Sequence, residues 1–330
     1  MNRLAASSVI LTSPRGFCAG VERAIEVVEV CLKRYPHPVY VYHEIVHNKH
    51  VVARLQASGA VFVDDIEMVP DHAVLIFSAH GVSPQVRHAA ECKGLTTIDA
   101  TCPLVTKVHR EAIQFAGKDF TILLVGHAGH QEVIGTMGEA PERIRLVETI
   151  DDVERVVVDD PEKVAVITQT TLSIADTEDI IKAIKRRFPQ VTFPPKEDIC
   201  YATTNRQRAV LDLAQKVDCI LVIGSQNSSN SQRLAEVARD CGKPAYLIND
   251  VQEIDPAWFV GVASVGITAG ASAPENIVQQ VVAFFRERGV EEVEEQEVIP
   301  ETVRFGLPLT LRTTEKSGQV GPNGPAAPRR

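Results

Sequence analysis

Short apolar runs rich in β-branched residues alternate along the chain with stretches whose apolar positions recur at helical spacing. PVYVY, AVLIFSA, FTILLVG, KVAVIT, CILVIG and ASVGIT read as strands. In GVERAIEVVEVCLKRY, the residues Val21, Ala24, Ile25, Val28 and Leu32 recur at helical spacing. SNSQRLAEVARDCGK opens with helix-capping residues and closes at Gly242. Alternation of this kind predicts an α/β fold with mostly parallel sheets.

A longer period underlies the short one. Three cysteines each stand just before a helical stretch: Cys18 in RGFCAGVERA, Cys102 in DATCPLVTKV and Cys200 in DICYATTNRQ. A polar strand end follows at 29, 28 and 28 residues, marked by His47, His130 and Ser228. A second follows at 62, 68 and 72 residues, marked by His80, Thr170 and Ser272. α/β folds place ligands at the carboxyl ends of strands. The repeat therefore predicts three similar α/β units in a pseudo-threefold ring around one central site. The units are expected at 1–102, 103–199 and 200–287. A C-terminal extension covers 288–330, with its Gly/Pro-rich end disordered from about 314.

Composition narrows the function. The chain has 330 residues, 45% of them hydrophobic, enough for a sizeable core. The net charge of -9 and the lack of a long basic run argue against a nucleic-acid partner. No apolar run reaches membrane-span length and the start lacks a signal core, so no membrane association and a cytoplasmic location are expected. Seven cysteines in such a compartment do not predict a disulfide framework.

Helix N-termini favour the thiolate, so Cys18, Cys102 and Cys200 are candidate metal ligands. Cys31, Cys92, Cys219 and Cys241 read as structural, and no C-x-x-C pair exists for a closed zinc site. His43-Glu44-Ile45-Val46-His47 matches the HExxH of zinc proteases, which must lie within a helix to place both histidines on one face. Here it follows a strand pattern, with Asn48 capping the next helix. His43 is thus expected on the strand and His47 at the turn, with Glu44 facing away. No dinucleotide fingerprint or Walker loop occurs. Three strand-to-helix turns rich in Ser, Thr, Asn and His offer an anion cradle built on backbone N–H groups.

The motifs PRGFCAGV, HEIVHN, FSAHGVS, DATCPLVTKVH, GHAGHQEV, TQTTLS, DICYATTNRQ, GSQNSSNSQRL and TAGASAP, in this order over roughly residues 9 to 310, resemble the LytB/IspH family. These are the 4-hydroxy-3-methylbut-2-enyl diphosphate reductases of the methylerythritol phosphate isoprenoid pathway. The resemblance implies one 4Fe-4S cluster on Cys18, Cys102 and Cys200, with the fourth iron open to substrate. It implies an allylic diphosphate substrate, reduced to isopentenyl and dimethylallyl diphosphate, and an external one-electron donor, ferredoxin or flavodoxin. By the same resemblance, His47, His80, Ser228, Ser229, Asn230 and Ser272 bind the diphosphate. His130 lies beside the substrate, Glu132 supplies protons and Thr170 lies near the substrate hydroxyl. Thr203 and Thr204 are expected to line the pocket. Gln131 departs from the family's usual Pro, which leaves the turn holding Glu132 less rigid. On the residues alone a zinc hydrolase and a non-catalytic iron–sulfur sensor stay open. The pairing of His130 with Glu132 counts against the sensor.

Overall fold

A computed structural model describes residues 6–312; the tail expected to be disordered lies outside them. Strand β1 (Ser8–Ser13) leads to Cys18 and helix α1 (Ala19–Arg34). β2 (Val39–Tyr42), α2 (Lys49–Ala57), β3 (Ala60–Val63), β4 (Val74–Phe77), α3 (Pro84–Cys92) and β5 (Thr96–Asp99) follow. After Cys102 come α4 (Pro103–Ala116), β6 (Thr121–Val125), α5 (Gln131–Glu139), β7 (Ile144–Val147), α6 (Ile150–Arg155), β8 (Val164–Thr168) and α7 (Ile174–Arg187). After Cys200 come α8 (Tyr201–Ala214), β9 (Cys219–Ile223), α9 (Ser229–Asp240), β10 (Ala245–Ile248), β11 (Ser264–Ala269) and α10 (Glu275–Arg286). β12 (Glu292–Glu297) and α11 (Leu309–Arg312) complete the described chain.

The strands form three parallel sheets, ordered β3-β2-β4-β5, β7-β6-β8 and β10-β9-β11-β1-β12. Each is buried on both faces, which is why its central strands read as unbroken apolar runs. In the first sheet Val41 and Ile76 pack with Ala24 and Val28 of α1, while Leu75 and Phe77 pack with Ala90 of α3. In the second, Ile122 and Leu124 meet Val108 and Ala112 of α4, while Val166 meets Ile180 and Ile184 of α7. In the third, Ile220 and Val222 meet Val210 of α8, while Leu221 and Ile267 meet Val278 and Val281 of α10. The helix headed by each cysteine thus covers one face of its unit's sheet.

The sheets depart from the expected boundaries at one end. β1 lies in sequence with the first unit but pairs with β11 of the third, Val9 opposite Val265. The three sheets then share one plan. The fourth position is β5 in the first, β1 in the third, and in the second a single parallel bridge between Ala165 and Thr192. Each of these segments runs on to the cysteine that opens the next unit. β1 therefore closes the ring between the last unit and the first.

Local signals behave as their chemistry dictates. The Asn48 side chain accepts from the N–H groups of His50 and Val51, capping α2. Gly242 takes a left-handed φ of 75° just beyond α9. No helix among the described residues is long and apolar enough to cross a membrane.

One buried cation ties the ring's closure together. Arg206 on α8 is fully buried and donates to Gly16 O at 2.8 Å and to Phe17 O, in the loop that carries Cys18. Its guanidinium also meets the Glu301 carboxylate at 3.1 Å. Replacing it by Met leaves buried carbonyls and a carboxylate without their donor. Arg206→Met should lower unfolding free energy by about 3–5 kcal/mol, read from the urea midpoint. A loss under about 1 kcal/mol would show that this tie is dispensable.

Candidate functional site

The backbone N–H of each ring cysteine donates to the strand-end loop of the preceding unit. Cys102 N bonds Ala79 O at 3.0 Å, Cys200 N bonds Thr170 O at 3.0 Å, and Cys18 N bonds Ala271 O at 3.2 Å. Ala79 precedes His80 and Ala271 precedes Ser272, so every thiol is fixed at a seam beside a polar strand end. Cys18, Cys102 and Cys200 all line one cavity. The cavity is small, about 110 Å³, and open on one side.

Gly20 lies between two of the thiols. A Cβ built on it would fall 2.8 Å from Cys102 Sγ and 3.8 Å from Cys18 Sγ, so no larger residue fits without displacing them. Sequence reasoning missed Gly20, although it stands in the PRGFCAGV motif. The expectation that helix N-termini lower these thiols fails for Cys102 and Cys200. Burial, reinforced by the nearby Cys18, pushes them up to about 12 and about 11, outweighing the backbone N–H groups that favour the thiolate. Such thiols ionise only beside a strong positive charge, as a metal centre provides. The described residues hold no group of three His, Cys, Asp or Glu set for a single ion. Three thiols bordering one cavity are soft donors suited to a soft metal centre. The remaining cysteines are apart from the cavity: Cys31 and Cys219 are buried in cores, and Cys92 and Cys241 are exposed.

The cavity's other wall is polar but, among the described residues, carries no Lys or Arg. His47, His80 and His130 gather there, with ring centroids 4.1 Å apart for His47–His80, 5.6 Å for His47–His130 and 5.9 Å for His80–His130. Burial, and then the neighbouring histidines, hold His80 well below its ordinary range and His130 at about 4. His80 and His130 are thus disposed to stay neutral until an anion arrives to stabilise imidazolium. Ser228, Ser229 and Asn230 line the same cavity at the start of α9, where backbone N–H groups point outward, and Ser272 joins them. Ser272 donates to His47 O at 2.8 Å, and Asn230 accepts from Ala271 N–H at 2.8 Å.

Glu132 is fully buried at the start of α5. Its carboxylate accepts from Thr170 N–H at 2.7 Å and meets Thr170 Oγ1 at 3.0 Å. Burial pushes this carboxyl up to about 7, against the opposing effect of both Thr170 bonds. His130 caps α5 by accepting from Glu132 N–H at 3.2 Å, so the turn is held although residue 131 is Gln. Thr203 lines the cavity, its hydroxyl 3.2 Å from Cys200 Sγ, whereas Thr204 does not. Thr171 does, and was missed; its hydroxyl bonds Ser229 Oγ at 3.1 Å.

The HExxH residues lie on a turn. His43 follows β2 with a φ of 57° and pairs with Asp64 at 2.9 Å, away from His47. Glu44 does not face away as expected. It accepts from His47 Nδ1 and from Asn227 Nδ2, each at 2.9 Å, because the left-handed turn at His43 folds the segment back towards the third unit.

Comparison with known proteins agrees with this geometry. The sequence profile of the family described as LytB protein matches residues 9–286. The chain is 53% identical to the 4-hydroxy-3-methylbut-2-enyl diphosphate reductase of Streptomyces avermitilis, covering 92% of this chain and 90% of that one. It is 51% identical to the protein of that name from Methylibium petroleiphilum, covering 94% and 95%. Among solved structures, the E-1-hydroxy-2-methyl-but-2-enyl-4-diphosphate reductase of Plasmodium falciparum superposes with a TM-score of 0.90 at 40% identity, covering 93% and 97%. A second, the (E)-4-hydroxy-3-methyl-but-2-enyl diphosphate reductase described as the terminal enzyme of the non-mevalonate pathway, gives 0.61 at 34% identity, covering 85% and 99%.

The buried carboxyl makes stability depend on pH. An unfolded Glu132 releases its proton near 4.5, the folded one near about 7, so the folded state holds more protons between these values. Stability from this group is therefore lost as pH rises through that window. The stability of the native chain minus that of Glu132→Gln, measured without bound metal, should fall by about 3 kcal/mol across it. A flat difference would mean that Glu132 ionises as an ordinary carboxylate.

Proposed function

The chain belongs to the LytB family, and on that footing we propose that it is a 4-hydroxy-3-methylbut-2-enyl diphosphate reductase at the last step of non-mevalonate isoprenoid synthesis. Membership implies an iron–sulfur cofactor. The observation that carries the reading is the convergence of three seam thiols, three clustered histidines and one buried carboxyl on a single cavity. The HExxH segment lacks the helix a zinc site requires, as its strand context predicted, and the sensor reading leaves Glu132 without a task.

In this reading Cys18, Cys102 and Cys200 hold one 4Fe-4S cluster. When bound, the cluster supplies electrons one at a time and, as the cavity has no fourth cysteine, one iron open to a small ligand as a Lewis acid. The substrate loses its hydroxyl as water and gains a hydrogen at carbon, consuming two electrons and two protons. Its diphosphate lies against His47, His80, Ser228, Ser229, Asn230 and Ser272. The anion draws protons onto the histidines, and the first turn of α9 supplies N–H donors, so no lysine is needed. His130 packs beside the substrate and fixes the turn that presents Glu132.

Burial raises the Glu132 carboxyl to about 7, so near neutral pH it can hold the proton with which the cycle starts. Its proton passes to Thr170 Oγ1, 3.0 Å away, whose own hydroxyl proton goes to the departing oxygen. The electrons come from an external one-electron carrier, ferredoxin or flavodoxin, since the sequence has no nicotinamide or flavin motif.

The assay is anaerobic, with reduced methyl viologen and the allylic diphosphate. Isopentenyl and dimethylallyl diphosphate should form, and their absence at full iron content would overturn the reading. Cys18→Ser, Cys102→Ser and Cys200→Ser should each lose bound iron and sulfide, while Cys31→Ser and Cys219→Ser keep both. A cluster retained in Cys102→Ser and lost in Cys219→Ser would reverse the ligand assignment. Glu132→Gln should keep its iron and its affinity for inorganic pyrophosphate, yet turn over about a hundredfold to ten-thousandfold more slowly. Near-normal turnover would remove Glu132 from the proton path.

A further inference from the structure

The segments that carry two of the thiols also form the wall of a surface groove on the second unit. Pro103, bonded to Cys102, lines it together with Phe115, Phe193 and Pro194. On the same wall Lys107 Nζ donates to Lys196 O at 2.9 Å and to the Asp198 carboxylate at 2.5 Å, two residues before Cys200. A molecule seated here touches the backbone next to Cys102 and the stretch leading to Cys200.

The charge around this groove runs against that of the chain. Arg110, Lys118, Lys185 and Lys196 are exposed around it, Lys185 lying 5.0 Å from the Phe193 ring centroid. None of the four has a carboxylate within 4.0 Å among the described residues. Lys107 meets two carboxylates, Asp198 at 2.5 Å and Glu111 at 3.2 Å, one more than its own charge offsets. Against the four stand the one carboxylate in excess at Lys107, Glu197, exposed beside Lys196, and Asp119, which is paired with Arg143 at 2.9 Å. A chain of net charge -9 thus shows uncompensated cations around an apolar floor at the back of two thiol loops.

A second groove next to a thiol loop has no such bias. It lies between α2 and α10 and touches Phe17, but its charges are balanced: Asp250 by Lys49, Arg54 by Glu29, and Glu275 by Arg15.

We infer that the groove at Pro103 is where an acidic one-electron carrier protein docks. The inference rests on the reductase reading and gives its electron supply a location. Two reduced carriers dock in turn, and each is oxidised by one electron. With two protons, these two electrons break the substrate's C–O bond, form a C–H bond and release water. The cations steer the carrier, and the apolar floor gives it a surface to pack on.

The test is the triple charge reversal Arg110→Glu, Lys118→Glu, Lys196→Glu, all outside the cavity. Calorimetry of the holoenzyme with oxidised acidic flavodoxin reads docking without turnover, and steady-state kinetics with reduced flavodoxin reads delivery. The triple variant should bind about tenfold or more weakly and show a matching rise in KM for the carrier. Its loss of affinity with added salt should be much smaller than the native protein's. Turnover with reduced methyl viologen, a small cation that needs no docking surface, should be at least native. Carrier affinity within twofold of native would overturn the inference, as would a dimer that the reversal dissociates, which would make the face a self-interface. Failure of the native protein with methyl viologen would instead strike the reductase reading, so the two failures are distinguishable.

Discussion

Three backbone hydrogen bonds set the geometry on which the rest depends. Each joins a cysteine N–H to the strand-end loop of the preceding unit, at Ala79, Thr170 and Ala271. Because each cysteine also heads the helix of its own unit, a thiol belongs to two units at once, and the ring closes only where all three seams meet. Gly20 lets two seams approach within reach of one small centre. Arg206 holds the third-unit helix to the loop that carries Cys18. A thiol displaced by a seam that fails to close would be displaced relative to the histidines as well, since the bonded carbonyls lie at or next to the cavity's polar residues.

The cavity performs its electrostatics with buried neutral groups. His80 and His130 are pushed towards the neutral form and Glu132 towards the protonated one by the same cause, removal from water, acting on groups of opposite charge type. An anionic ligand therefore meets a site that can gain positive charge at the histidines while a proton is still stored at Glu132. Burial also keeps Cys102 and Cys200 as thiols unless a metal centre offsets the cost of ionising them. A groove flanked by exposed cations lies behind the thiol loops.

Much of this was legible in the residues. The spacing from each cysteine to its two polar strand ends reports the repeat because every unit uses the same strand order, and buried parallel strands cannot disguise their apolar runs. Other features were not legible because they depend on contacts distant in sequence. Nothing local in SVILTS says that β1 pairs with β11, more than 250 residues on. EVEEQE carries no strand pattern, and β12 forms because β1 offers it a parallel edge. Glu44 was expected to face away; its direction is decided by the positive φ of His43 and by Asn227 in another unit. The lowered thiols expected at helix N-termini failed because burial, which no short motif reports, outweighs the helix end. Gly20 and Thr171 stood within recognised motifs but gave no sign of which neighbours they would meet.

The central claim is that three thiols hold a cluster and leave one iron for the substrate. Mössbauer spectroscopy of isotopically enriched, anaerobically reconstituted protein tests it most directly. The account predicts that about three quarters of the iron gives one sulfur-ligated signal and about one quarter a distinct one. Adding the allylic diphosphate should shift the distinct signal alone. Four equivalent irons indifferent to that ligand, or stoichiometric zinc with no iron signal, would contradict it.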